Sequence, residues 1–91
     1  MKTLEGQRLI LNSQLTIENG TAGYFDGHLW LYFTGYTLQE TATIFFDPAN
    51  TATIVFQFGD MAETYEGFTD CVNLSINSDG NVSVCMIKGG Q

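Results

Sequence analysis

The stretch ETATIFFDPANTATIVFQF, residues 40–58, decides the fold that the sequence predicts. Apolar side chains occupy the even positions of both halves, Ala42 to Phe46 and Ala52 to Phe58, while Thr and Gln fill most of the odd positions. An alternation with a period of two is typical of a β-strand. Between the halves, Asp47-Pro48-Ala49-Asn50 has the residues of a type I turn that ends in a left-handed conformation. The stretch therefore predicts a β-hairpin with all its even-numbered apolar residues on one face.

Further alternating segments lie before this hairpin. Residues 9–18 are apolar at four of the five odd positions, Leu9, Leu11, Leu15 and Ile17, and polar at most even ones, which predicts one half-buried strand. Asn19-Gly20 and Asp26-Gly27 are typical two-residue turns. If each turn joins neighbouring strands, Ile17 lies opposite Ala22 and Tyr24 lies opposite Leu29. Residues 28–33 are apolar on both faces, and we expect them to form the next strand.

A second hairpin is predicted at the carboxyl end of the chain. Asn77-Ser78-Asp79-Gly80 is again a type I turn followed by a left-handed residue. This turn places Ile76 opposite Val82 and Leu74 opposite Val84. In the same register, Cys71 and Cys85 both lie on the outward face, diagonal to one another, and we expect free thiols.

Between the two hairpins the pattern favours one short helix near residues 60–66. Asp60 is a favourable N-cap residue, and Glu63 stands three residues later, where a capping box requires Glu. Gly67 fits the position just past the carboxyl end of the helix. The alternative is an ordinary acidic loop. The sequence as a whole predicts a single all-β domain spanning residues 1–91. We expect an antiparallel meander of seven or eight short strands forming a small barrel or a two-layer sandwich.

The distribution of charge restricts the classes of partner. Lys2, Arg8 and Lys88 are the only cations, so none lies between Leu9 and Ile87. That stretch contains nine carboxylates: Glu18, Asp26, Glu40, Asp47, Asp60, Glu63, Glu66, Asp70 and Asp79. Such a surface repels nucleic acid and anionic membranes and attracts cationic partners. We therefore predict a protein partner with a basic surface, no direct binding to nucleic acid and no binding to membranes.

Two sets of side chains are candidate partner-binding sites. Asp60, Glu63, Glu66 and Asp70 are three, three and four residues apart, which would align their carboxylates along one side of a helix. They could imitate a run of phosphates in a basic groove, or they could form a solvated face that keeps the protein in solution.

The second candidate site is aromatic. Phe25, His28, Trp30 and Tyr32 share one outer face if Leu29 and Leu31 point inward. A contiguous aromatic patch marks a partner surface or a homodimer contact. The alternative is that the sheet folds over on itself and buries this face as well.

Other chemistry has little support in the sequence. His28 is the only histidine, and no pattern places it beside Cys71 or Cys85 as a nucleophile would require. We predict no enzyme activity, no catalytic residues, no cofactor and no metal site. The sequence shows neither a secretory leader nor a long apolar run, so we expect a cytoplasmic protein.

Three functional hypotheses follow from these observations. The first is a non-enzymatic interaction module, specifically a small acidic inhibitor that covers the nucleic-acid-binding surface of its target, as phage antagonists do. The second is a small-ligand-binding β-barrel. The third is a structural or assembly subunit that oligomerises through the aromatic sheet face.

Overall fold

The chain folds into two four-stranded antiparallel sheets and two short helices, as described for residues 7–89 by a computed structural model. The strands are β1 (Arg8–Leu11), β2 (Leu15–Glu18), β3 (Thr21–Phe25), β4 (His28–Phe33), β5 (Thr53–Phe58), β6 (Met61–Glu66), β7 (Asp70–Ile76) and β8 (Val82–Ile87). The helices are α1 (Leu38–Phe45) and α2 (Pro48–Thr51). The predicted all-β class is confirmed, and two separate sheets correspond to the sandwich rather than the barrel. The predicted domain spans 1–91, of which residues 1–6 and 90–91 lie outside the described part.

The order of the strands differs from a simple meander. The first sheet has the order β2-β1-β5-β6 and the second has the order β3-β4-β8-β7. The chain therefore changes sheet after β2, returns through α1 and α2, and changes again after β6. The Asn19-Gly20 turn leads from one sheet to the other, so the predicted pairing of Ile17 with Ala22 is wrong. Ile17 pairs instead with Leu9, whereas Tyr24 pairs with Leu29 as predicted.

Side chains from both sheets form one hydrophobic core. Alternate residues of β1 and β5 meet alternate residues of β4 and β8, and Phe45 of α1 joins them. The fully buried members include Leu9, Leu11, Ile17, Leu29, Leu31, Phe45, Ile54, Val82, Val84 and Met86. Burial of this apolar surface is the main favourable term in folding.

The predicted strand over residues 42–46 is wrong, because α1 occupies this segment. Thr37 and Glu40 form a reciprocal capping box, in which the Glu40 N–H donates to Thr37 Oγ1 at 3.0 Å and the Thr37 N–H donates to Glu40 Oε1 at 2.9 Å. This local signal outweighs a short alternation that also fits a helix. The helix buries Phe45 completely and leaves Phe46 62% exposed, the reverse of the strand prediction.

The predicted hairpin turn at residues 47–50 is also wrong. Asp47 caps α2, its side chain accepting the Ala49 N–H at 3.0 Å, and Pro48 occupies the first helical position. Asp followed by Pro suits the first turn of a helix as well as it suits a type I turn.

The helix predicted near residues 60–66 is wrong, since this segment is strand β6. Gly59 and Asp60 form a two-residue turn, with Phe58 opposite Met61 and Gly59 at a φ of 59°. All six residues of β6 pair with β5. A helix of one and a half turns is marginal by itself, whereas a paired strand satisfies its backbone along the whole segment.

Residues 9–18 form two strands rather than one. Asn12 and Ser13 adopt positive φ angles of 53° and 59°, and they reverse the chain between β1 and β2. Leu11 lies opposite Leu15 across this loop. Three residues between the paired positions keep the odd-numbered side chains on the same face, so the apolar pattern hides the turn.

The carboxyl-terminal hairpin forms as predicted near its turn and departs from the prediction at its open end. Leu74 lies opposite Val84, as expected, but an irregularity between Cys71 and Asn73 places Cys71 opposite Met86. The prediction that both cysteines face outward is therefore wrong for Cys71. Cys85 is 1% exposed, and both thiols are free as expected.

Candidate functional site

The four predicted aromatic-site residues share the outer face of the second sheet. Phe25 lies opposite His28, and Trp30 and Tyr32 follow at alternate positions of β4, whereas Leu29 is buried in the core. The Trp30 and Tyr32 rings stack with centroids 6.4 Å apart and planes 11° apart. Phe25 is 78% exposed. The structure thus brings this set together on a surface that is open within residues 7–89.

His28 and Cys71 each make a local contact, His28 with Asp26 and Cys71 with Asn73. His28 Nδ1 lies 2.9 Å from the carbonyl oxygen of Asp26, a contact within its own turn. Burial raises the pKa of the Cys71 thiol, and burial likewise raises the pKa of Cys85. Reactive cysteines need a lowered pKa, so neither thiol has the electrostatic setting of a nucleophile.

The four predicted acidic-site residues do not align along a helix. Asp60 lies in the turn before β6, while Glu63 and Glu66 lie on opposite faces of β6 because they are an odd number of residues apart. Asp70 begins β7 in the other sheet. A continuous row of four carboxylates is therefore not formed.

The negative charge is nevertheless almost entirely on the surface. All nine carboxylates between Leu9 and Ile87 belong to exposed residues. Among residues 7–89 one ion pair forms, between Arg8 Nε and Glu18 Oε1 at 3.5 Å. Lys88 Nζ lies 5.5 Å from the centroid of the Phe68 ring. Within the described part of the chain, the other eight of these carboxylates form no ion pair with a basic side chain.

A cleft lined in part by aromatic side chains lies between β6 and β3, which are outer strands of different sheets. Its lining residues are Ala22, Gly23 and Tyr24 of β3 with Glu63, Thr64 and Tyr65 of β6. The Tyr24 and Tyr65 rings stack across it with centroids 6.3 Å apart, and Phe68 meets both rings edge-on at 5.8 and 6.1 Å. The cleft thus places the carboxylate of Glu63 near the cluster of the Tyr24, Tyr65 and Phe68 rings.

Within this cleft, Glu63 and Tyr65 interact directly. The Tyr65 hydroxyl donates a hydrogen bond to Glu63 Oε1. Partial burial, this hydrogen bond and the negative charge of Glu63 raise the pKa of Tyr65 to about 12. The phenol therefore stays protonated at neutral pH and holds the Glu63 carboxylate in place.

An apolar groove that was not predicted from the sequence lies between α1 and β7. Leu38, Ala42 and Phe46 line it from the helix at a spacing of four residues, and Val72 lines it from the strand. Leu38 and Val72 are 48% and 52% exposed. The Thr37-x-x-Glu40 capping box was the signal that could have revealed this helical stripe.

Two negative findings concern other classes of site. Within residues 7–89, no group of three or more His, Cys, Asp and Glu side chains is arranged to hold a metal ion. Neither α1 nor α2 has the length and apolar character needed to cross a membrane, and the described residues contain no other helix.

Comparison with protein-family models, with curated proteins and with solved structures finds no match for this chain.

Proposed function

We propose that this protein is a non-enzymatic interaction module that binds a protein with a basic surface. The observation that carries the proposal is the exposure of nine carboxylates on a body in which no cation occurs between Leu9 and Ile87. The simplest form of such a module is a cytoplasmic inhibitor that covers the nucleic-acid-binding surface of its target, in the manner of phage antagonists.

The electrostatic argument depends on the imbalance of charge more than on its amount. A protein that needs charge only to stay in solution can mix both signs on its surface. Here the formal net charge is −7 in 91 residues, and Arg8 is already paired with Glu18. A surface of one sign accelerates the approach of an oppositely charged partner and repels copies of itself. Binding of this kind weakens with added salt, because the Debye length falls to about 3 Å at 1 M ionic strength.

A charge-reversal experiment with a matched control tests the proposal. The immobilised protein is exposed to a lysate of its native host at low and high salt, and the retained proteins are identified by mass spectrometry. We expect retention of a basic protein that is lost at high salt. Exchange of Glu63→Lys together with Glu66→Lys should abolish this retention. The control, Asp70→Lys with Asp79→Lys, makes the same change in net charge on the other sheet and should retain more of the partner. Equal retention by all three forms, or retention that salt does not alter, contradicts the proposal.

A second candidate function rests on the aromatic face. Phe25 is 78% exposed beside the stacked Trp30 and Tyr32 rings, which favours an assembly subunit that associates through this face. Sedimentation of the native chain and of a Phe25→Ser variant at 0.15 and 0.5 M salt tests it. Self-association that increases with salt and is lost in the variant would support assembly, whereas a monomer under both conditions would argue against it. The ligand-carrier hypothesis stays a prediction, and core side chains from both sheets occupy the space between them.

A further inference from the structure

Each sheet has two outer strands, and two of these four edges are protected against pairing with another strand. Strand β2 has only four residues. Strand β3 has five residues in regular register, but Gly23 weakens it and it carries no charged side chain that could select a partner. Strand β7 has an irregular register between Cys71 and Asn73, and α1 packs beside it. Short strands, bulges and covering helices are the usual means by which proteins protect sheet edges.

Strand β6 is the longest outer strand in regular register. It has six residues in regular register with β5, and five of the six are exposed. It contains neither Pro nor Lys, and within residues 7–89 it pairs with β5 alone. A long, regular and exposed edge is a template for an added strand.

The register shows which backbone groups of β6 face outward. Gly67 and Ala52 are the next pair after Glu66 and Thr53, and the Gly67 N–H donates to the Ala52 carbonyl at 2.9 Å. Opposed residues in an antiparallel pair alternate between hydrogen-bonded and non-hydrogen-bonded positions. Odd-numbered residues of β6 therefore direct their backbone groups to β5. The N–H and C=O groups of Ala62, Thr64 and Glu66 point to the free edge.

The charges beside this edge select the occupant. Asp60, Glu63 and Glu66 lie on or next to β6, and all three are exposed. A second copy of this chain would bring the same carboxylates together, and like charges on adjacent strands destabilise their pairing. An extended segment that carries Lys or Arg would instead place cations beside them.

From these observations we infer that β6 binds an extended basic peptide segment as an additional strand of the first sheet. The backbone groups of Ala62, Thr64 and Glu66 provide the hydrogen bonds, while Glu63 and Glu66 select basic side chains, one on each face of the strand. The Tyr24 and Tyr65 rings lie beside the path of the bound segment and offer apolar contact to its remaining side chains. This inference rests on the proposed function and specifies its partner as a flexible basic tail or loop rather than a folded basic surface.

Binding of synthetic peptides tests the inference. The probe is a fluorescently labelled decapeptide in which pairs of Lys alternate with pairs of Val, so that each face of the extended peptide carries both residue types. Its binding to the full chain is measured by fluorescence anisotropy. One comparison peptide replaces Lys with Glu. A second keeps every charge but carries N-methyl groups on alternate backbone nitrogens, which removes the donors along one strand edge. We expect no binding of the Glu peptide, and weakening of at least about tenfold on methylation, since several hydrogen bonds are lost together.

Two variants separate strand addition from attraction of charge. Thr64→Pro removes an outward N–H that β5 does not use, and proline is tolerated at such edge positions. Thr64→Val retains the N–H and the branched side chain. We expect peptide binding to fall at least about tenfold in the first variant and to stay within about twofold in the second, because only the first loses a strand-pairing donor.

Amide hydrogen exchange, followed by NMR in the native chain, requires no variant. The Ala62, Thr64 and Glu66 amides should exchange fast in the free protein and become protected with peptide, whereas those of Glu63 and Tyr65 should be protected in both. Peptide binding without added protection, or with equal affinity for the methylated peptide, overturns the inference but leaves a basic partner in place. Absence of peptide binding also overturns it, and lysate capture then decides separately whether a folded basic partner exists.

Discussion

Replacement of Phe45 with alanine should destabilise the protein far more than the same replacement of its neighbour Phe46. Phe45 is fully buried and its ring stacks on Phe33 with centroids 5.7 Å apart, so it holds α1 against the core. Phe46 is 62% exposed at the end of the same helix. The two positions differ by one residue in sequence and are opposite in environment.

The burial of the two rings sets the expected magnitudes. Truncation of a fully buried Phe removes its transfer free energy and leaves a cavity, which together cost about 3–5 kcal/mol. Folding buries less than half of the Phe46 surface, since the residue is still 62% exposed. Full burial of a Phe side chain contributes about 1.5–3 kcal/mol, so truncation of Phe46 should cost about 1 kcal/mol or less. The difference of at least about 2 kcal/mol is well above the error of a comparison between variants.

Urea unfolding followed by tryptophan fluorescence and circular dichroism measures both values, provided that the two signals give one transition. The strand that the sequence predicts over residues 42–46 would point Phe46 inward and Phe45 outward, and it would reverse the order of the two effects. A larger loss of unfolding free energy for Phe46→Ala than for Phe45→Ala would therefore refute the placement of α1.

Two further predictions concern local interactions. Thr37→Ala removes the side-chain cap of α1 and should lower the unfolding free energy by about 1 kcal/mol, whereas Thr43→Ala on the exposed face should change it by less than about 0.5 kcal/mol in urea unfolding; equal effects would contradict the capping box. The pKa of Tyr65 is raised from 10.0 to about 12, so the folded state holds this proton more tightly than the unfolded chain does. This contribution to stability should be complete below pH 10 and lost as the pH rises through 12. In an absorbance titration at alkaline pH, Tyr65→Phe should remove the phenol transition that occurs at the highest pH. A titration unchanged by the substitution would show that Tyr65 is not the perturbed group.

Much of the core was predictable because burial follows parity within each strand. Leu9, Leu11 and Ile17 share a face whether residues 9–18 form one strand or two, since the loop between β1 and β2 preserves parity. The aromatic face was predictable for the same reason, because Trp30 and Tyr32 must point to the face of a regular strand that Leu29 does not occupy. These are properties of the backbone and need no knowledge of neighbouring strands.

The acidic site was less predictable because its geometry depends on the element that carries it. A spacing of three residues aligns Glu63 and Glu66 on a helix but separates them on a strand. Asp60 and Glu63 have the residue types and spacing of a capping box. Only the pairing of residues 61–66 with β5 shows that this segment is a strand and that they cap no helix. The exposed edge of β6 therefore could not be predicted, because the sequence pattern indicated a helix in this segment.

The sequence by itself determined the all-β class and the negative body, because alternation and charge are local or compositional properties. The tertiary structure decided that residues 61–66 form a strand, which turn changes sheets and which strands within residues 7–89 lie at the sheet edges. Short segments such as residues 42–46 and 60–66 satisfy helix and strand patterns almost equally well. At residues 42–46 the local capping box of Thr37 and Glu40 favours the helix, and the stacking of Phe45 on Phe33 adds to it. At residues 61–66 the choice is made by pairing with β5, whose contacts no window of local sequence contains.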